Sequence, residues 1–314
     1  MALALALVGL AVAPAAAAIE APAVVTILEG TAQVIRGANR LALAEGVRIA
    51  AGDLVETASA SFLQAEFDDG TTIDVGPGAR LQFEHPARRR AERPGLYLLS
   101  GWLKIATRPG ASGFGLAWPA ADALDLSGTL LIEVAPGRAA LFVENGGARL
   151  VDHRARGPVP VAVHSGDFLV ARGEERVAVA TRPTPEFLAA MPRPFRDTLP
   201  RRSAKFAGID VAPKPIGPIA YRDAEPWIDA EASVRRQFIA LWRSKSDEPE
   251  FRAGLVGGLR AHPEWDPVLF PEKYRPKPTP LPVPPPPSLP AAAQPQPVTS
   301  ALPPAQAAQR ESAP

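Results

Sequence analysis

The chain contains no cysteine. That excludes disulfides, thiol nucleophiles and thiolate metal sites, and with them the lipid-bearing cysteine of a bacterial lipoprotein. Histidine is nearly as scarce. His85, His153, His164 and His262 lie far apart with no i, i+4 pair or other metal-ligand spacing, and they read as surface or filling residues. An excess of one charge sign is missing too: 34 Lys and Arg stand against 33 Asp and Glu, a formal net charge of +1, so nucleic acid is not expected as a partner. There is no Gly-x-Ser-x-Gly elbow, no phosphate-cradling loop and no dinucleotide fingerprint. Catalytic, cofactor-binding and metal-ligating residues are therefore all expected to be absent, and the chain is not expected to be an enzyme.

Long apolar runs are confined to the N-terminus. Met1 to Ala18 carry no charge and comprise an apolar run from Leu3 to Val12, then Pro14 and four alanines. This predicts a secretory signal peptide over 1–18 with cleavage near Ala17 or Ala18, although a basic leading segment is lacking. An uncleaved membrane anchor is the alternative, disfavoured because Pro14 interrupts the run and spanning a bilayer takes about 20 apolar residues. No later segment is long and apolar enough to span. The expected location is periplasmic or secreted, with no transmembrane segment once the signal peptide is removed.

Proline and glycine, by contrast, are abundant at 37 and 25 residues, so the folded part is smaller than 314 residues suggest. Residues 276–314 hold 14 of the prolines and almost no aliphatic bulk. Such a segment buries no core and predicts a disordered or polyproline II tail, either a spacer, a ligand for a proline-recognising groove or an inert terminus.

Residues 24–180 read as β-structure. In the stretch Phe62 to Val75, Leu63, Ala65 and Phe67 share one strand face and Thr71, Ile73 and Val75 share another. A two-residue loop at Asp69 and Gly70 would oppose an apolar face to a polar one. A three-residue loop, Asp68 to Gly70, pairs Ala65 with Ile73 and Leu63 with Val75, and Gly70 supplies the left-handed residue that closes it. The adjacent acids Asp68 and Asp69 thus fall on a solvent-facing tip, without the burial that would separate their protonation for acid–base work. Gly76, Pro77 and Gly78 make the next turn.

Further short runs follow the same pattern between glycine-bearing turns: 32–35, 41–44, 47–49, 53–56, 81–83, 97–105, 113–118, 129–134, 139–144, 148–151, 161–163 and 168–171. With no helical crossover between them, they predict a mainly β fold, a short-strand antiparallel sandwich or a twisted solenoid-like stack. Two segments show weak self-similarity: Ala51 to Val55 resembles Ser165 to Val170 around Gly-Asp, although Gly-Asp is also a common turn dipeptide.

From 181 to 275 the period changes. Val234, Phe238, Leu241 and Trp242 share a helical face, and a second helix runs from about Pro249 to His262 with Asp247 as its N-cap. A short helix is expected over Pro185 to Ala190 and another turn over Pro192 to Leu199. This helical appendage is rich in aromatics, among them Trp227, Phe251, Trp265, Phe270 and Tyr274, yet too small to fold alone. It is expected to dock on the β domain, the alternative being a partner.

These residues together resemble the FecR-type domain. The pattern runs through Gly30, Gly52 and Asp53 with Thr57, Phe67 to Thr71, Ser100 and Gly101 with Lys104, Gly128 and Thr129, the turn Glu144 to Gly146, and Ser165 to Asp167. It covers about residues 25 to 180. The resemblance implies an extracytoplasmic β module known chiefly for protein contacts. In the best-known members the domain is the periplasmic half of a transmembrane anti-sigma regulator; this chain departs from that plan, with a signal peptide in place of a sigma-binding segment. The implied function is a non-enzymatic protein-interaction or scaffold module of a bacterial cell envelope, with a link to envelope signalling, binding envelope proteins. The rival is a glycan or peptidoglycan binder using Trp102, Trp118 and the run Arg88 to Arg90, since aromatic rings stack on sugars; in strands, however, tryptophan is more often core, and three arginines are worth little at physiological salt.

Overall fold

Alternating side chains build one hydrogen-bonded network of sixteen strands in the computed structural model, which describes residues 23–83, 95–109, 114–119, 121–154, 160–173 and 175–275. The strands are β1 (Ala23–Glu29), β2 (Ala32–Arg36), β3 (Asn39–Ala42), β4 (Arg48–Ile49), β5 (Leu54–Thr57), β6 (Phe62–Phe67), β7 (Thr72–Val75), β8 (Arg80–Phe83), β9 (Leu96–Ala106), β10 (Leu116–Trp118), β11 (Ala121–Ala135), β12 (Arg138–Asp152), β13 (Val161–His164), β14 (Phe168–Arg172), β15 (Ala178–Ala180) and β16 (Lys214–Pro218). All pair antiparallel except β9 with β10. The fold is mainly β, as the periodicity predicts, in a mixed sheet that does not close. The predicted signal peptide, the run Arg88 to Arg90, His85 and the proline-rich segment 276–314 lie outside the described residues.

The hairpin register is the one predicted. Leu63 faces Val75 and Ala65 faces Ile73, the Phe67 N–H donates to Thr71 O at 2.8 Å, and Gly70 takes φ +82°. Asp68 and Asp69 are exposed at the tip, where Asp69 Oδ1 accepts the Thr71 N–H at 2.8 Å. Gly70→Val should therefore cost about 1–2 kcal/mol of stability through left-handed strain, read as a shift in the urea midpoint, while Asp68→Asn should leave that midpoint unmoved.

Three of the expected short runs, 129–134, 139–144 and 148–151, are parts of two longer strands. β11 and β12 each hold 15 residues, and the glycines expected to end strands instead sit in bulges within them. Gly128 (φ +82°) and Gly146 (φ +80°) face each other there, and a Cβ on Gly146 would stand 2.0 Å from Ser127 O. The turn expected at Glu144 to Gly146 is thus a bulge in a continuous strand: glycine relieves the crowding without stopping the ladder.

The Gly-Asp similarity has a geometric counterpart. Gly52 N–H donates to Phe83 O and Phe83 N–H to Asp53 O, while Gly166 and Asp167 make the same pair of bonds with Val143. Each aspartate also accepts the N–H three residues back, Ala50 at 2.7 Å and His164 at 2.8 Å.

One face of the network encloses the main core, which takes Val34, Val55, Leu63, Ile73, Leu98, Leu103, Ile132 and Leu141 from successive strands. The opposite face is covered in two patches by chain that follows β15. Over the first patch lie α2 (Tyr221–Ile228), α3 (Ala232–Trp242), α4 (Pro249–Gly257) and α5 (Asp266–Leu269), whose Trp227, Phe238, Trp242, Phe251 and Trp265 pack with Ile35, Leu54 and Tyr97 of the sheet. Trp227 Nε1 donates to Glu56 at 3.1 Å and Trp242 Nε1 to Gly37 O at 3.0 Å. The helices dock in cis.

Local details differ from expectation. Leu241 is 40% exposed, so the buried stripe of α3 is Val234, Phe238 and Trp242. The N-cap position of α4 is Glu248 rather than Asp247, because Arg243–Asp247 forms a 3-10 turn that carries the chain directly into Pro249. That helix stops at Gly257, short of His262. The described residues up to Lys273 form one compact unit.

Candidate functional site

The second covered patch begins with the polar face of the hairpin. Period two puts Gln64 and Glu66 opposite the core residues of β6, and Asp74 opposite those of β7. Such a face ordinarily meets water. Here all three are buried, at 3%, 1% and 6% exposure.

Strand register arranges them in a row. Gln64 faces Asp74, Asp74 faces Lys104, Lys104 faces Leu131, Leu131 faces Phe142 and Phe142 faces Phe168, so one line crosses β6, β7, β9, β11, β12 and β14 and passes from polar to apolar. Thr26, at the bulge in β1, donates to Gln64 Oε1 at 3.1 Å, and Gln64 Nε2 donates to Asp74 Oδ1 at 2.9 Å. Burial pushes the Asp74 carboxyl up to about 6, against the downward pull of the Gln64 amide and the Lys104 charge.

The cover is a strap from Thr184 to Ser203, made of α1 (Pro185–Ala190), a 3-10 turn over Arg193–Arg196, and the chain leading to a further turn at Ser203–Phe206. Both the helix at Pro185 and the turn after Pro192 are where the prolines predict them: proline suits a first helical position and carries no N–H to lose. Thr184 caps α1, its Oγ1 accepting the Phe187 N–H at 3.3 Å.

Phe187 and Phe195, each 1% exposed, anchor the strap. The ring of Phe187 lies 5.1 Å from Trp102 and 5.0 Å from Phe168, and that of Phe195 lies 6.3 Å from both Phe62 and Trp102. Gly76 makes room: a Cβ there would stand 3.2 Å from Phe195 and 3.3 Å from Pro192.

Two buried charges of the sheet hold the strap's main chain. Lys104 Nζ donates to Phe195 O at 2.7 Å and stands 3.5 Å from Glu144. Glu66 Oε1 accepts the N–H groups of Arg202, at 2.5 Å, and Ser203, at 3.2 Å. Chemically the arrangement binds polypeptide: one cation for a carbonyl, one carboxylate for a pair of amides, and aromatic sockets between them.

Neither a family model nor a curated protein matches the sequence. Two solved structures of a "putative anti-sigma factor" from Parabacteroides distasonis align at TM-score 0.35, with 13% and 11% identity. The match covers 41% of this chain and 59% of that one, so the chain spans about three fifths of that protein's length. A likeness this loose bears on neither fold nor function, and the FecR-type resemblance rests on the motif residues named above.

The residues singled out in the sequence fall in different places. Trp102, at 8% exposure, lies beneath the strap, and Trp118, at 3%, belongs to the main core, so neither ring face is open to a sugar. His262 is fully buried between Asp229, 2.8 Å from Nδ1, and Leu255 O, 3.1 Å from Nε2. His153 pairs with Asp122 at 3.0 Å and His164 is exposed, so the described histidines do not meet. Of the motif residues, Lys104 enters the site and Glu144 pairs with it at 3.5 Å. Glu66, Asp74, Phe187 and Phe195 were not singled out for it. The available signal was a strand pair with charge on its second face followed, more than 100 residues later, by a proline-punctuated segment with two phenylalanines.

Proposed function

We propose that this chain is a non-enzymatic FecR-type module of a bacterial cell envelope, exported through its N-terminal leader, that works by contact with other envelope proteins and serves envelope signalling. The observation that carries this reading is the use to which the buried charges under the strap are put. Lys104 and Glu66 bind main-chain atoms of a peptide segment, and burying two charges for that purpose is costly unless polypeptide is what the face accommodates. The apolar run Leu3 to Val12, followed by Pro14 and four alanines, supports export.

Crosslinking in intact cells, followed by identification of captured chains, tests the reading. A specific envelope-protein adduct is expected. Retention on purified wall material with no protein adduct would instead favour a glycan-binding role.

A further inference from the structure

The strap sits on the sheet as a bound peptide would. From Thr184 to Ser203 it adds no strand to the network, and its internal structure is a six-residue helix and a 3-10 turn. Lys104 and Glu66 grip it through main-chain groups, contacts that any chain following the same path could make. Its specificity resides in two aromatic anchors, Phe187 and Phe195, eight positions apart, set in sockets built by Phe62, Trp102, Leu131 and Phe168. Pro185, Pro192, Pro194 and Pro200 punctuate it, and Pro183 precedes it. Proline fixes backbone angles before binding and so lowers the entropy lost on docking, the advantage that proline-rich ligands exploit.

The first residues of the strap border an open part of the groove. Beyond α1 a cavity of about 390 Å³ opens on the same face, lined by Arg138, Val170, Arg172, Thr184 and Glu186. Arg138 and Arg172 stand directly opposite each other on β12 and β14; Arg138 pairs with Glu133 at 3.3 Å, and the strap's own Glu186 lines the same cavity, so the strap already sets an acidic residue beside this like-charge pair.

We propose that the Thr184–Ser203 strap is an internal ligand, and that the sheet face beneath it is a groove for a proline-rich segment of a partner protein, bearing two aromatic residues, which displaces the strap. The proposal rests on the protein-contact reading. The partner segment takes the strap's place on Lys104 and Glu66, seats its aromatic rings over Trp102, and carries an acidic residue where the strap has Glu186, beside Arg138 and Arg172. Because the strap is tethered beside its own groove, it competes at high effective concentration, and the groove binds an outside peptide only in the fraction of molecules whose strap is open.

The test is fluorescence anisotropy with a labelled synthetic peptide of residues 183–203. The full chain should bind it weakly, and the Phe187→Ala, Phe195→Ala double variant at least about tenfold more tightly, because the competent fraction rises. Adding Lys104→Met should abolish that gain. A folded double variant that binds no peptide overturns the proposal, as does sedimentation showing that the peptide-free double variant exchanges chain segments in a dimer instead. Should the double variant fail to fold, hydrogen exchange on the unaltered chain decides: strap amides should open well before those of β11 and β12, and exchange only through global unfolding would make the strap a fixed part of the fold. A protein adduct in cells without peptide binding would remove the groove and leave the protein-contact function standing; peptide binding without an adduct would do the reverse.

Discussion

Trp227→Ala should lower the free energy of unfolding by about 3–5 kcal/mol, as truncating a fully buried tryptophan does elsewhere. The side chain is 0% exposed, its ring centroid lies 5.8 Å from that of Phe238, and its Nε1 donates to Glu56 across the junction of helix and sheet. Alanine would leave a cavity at that junction and remove the bond. Glu56 would keep Gln33, at 2.8 Å, and Arg80, at 3.4 Å, so the loss is mainly one of packing. Urea unfolding followed by far-ultraviolet circular dichroism measures it. A fall in the slope of the transition would mean that the helical layer melts apart from the sheet, whereas a single steep transition at lower urea means that the two still unfold together. A loss below about 1 kcal/mol would show that the helices contribute little to the unit, contrary to their packing on Ile35, Leu54 and Tyr97.

The helical docking was half legible in the sequence. A short segment dense in aromatics cannot bury them alone, so a surface had to be found. Its identity depended on which residues of β2, β5 and β9 point outward beside one another, a matter of pairing between strands far apart in the chain. The hairpin at Asp68 to Gly70 was legible in full, because period two, a short loop and one left-handed glycine leave a single register that keeps the apolar sets together. The same rule, applied without long-range pairing, does not say what covers the charged second face of that hairpin. Nothing local to Gln64, Glu66 or Asp74 reveals that a strap returns more than 100 residues later to cover them.

Glycine and proline both sit within elements of this fold. At Gly128 and Gly146 glycine suggested strand ends but supplies bulges, which keep β11 and β12 continuous for 15 residues each. Pro215 and Pro218 sit in β16, a strand not anticipated from the sequence; it forms on β3 at an end of the sheet path, and proline suits an edge strand because it needs no ladder partner on its outer side. The helix α2, also not anticipated from the sequence, carries Pro226 inside it and buries Ala224, Trp227 and Ile228. In each case tertiary contact decided between two uses of the same residue.

Asp74→Asn should stabilise the protein at neutral pH and flatten its pH dependence. In the fold, burial raises the carboxyl from an ordinary 3.8 to about 6, so the folded chain binds a proton more tightly than the unfolded chain does. Between those two values the unfolded state has released a proton that the folded state keeps. The stabilising contribution is therefore complete below pH 3.8 and is lost as pH rises through about 6, which at 1.36 kcal/mol per unit amounts to roughly 3 kcal/mol across the interval. Asparagine keeps the acceptor for Gln64 and does not titrate, but it buries an amide NH2 in place of a carboxylate oxygen, so the net gain at pH 7 should be smaller, about 1–2 kcal/mol. The comparison across pH is the sharper measurement: the gap between variant and unaltered chain should open as pH rises from 4 to 7. Parallel stability curves would show that Asp74 is no buried charge in the folded protein. The sheet retains that carboxylate at a cost, and the geometry indicates why: with Asp74 ionised, Lys104 has an anion on its own strand ladder as well as Glu144, and the two together hold an ammonium inside the fold where it can reach the strap's Phe195 carbonyl.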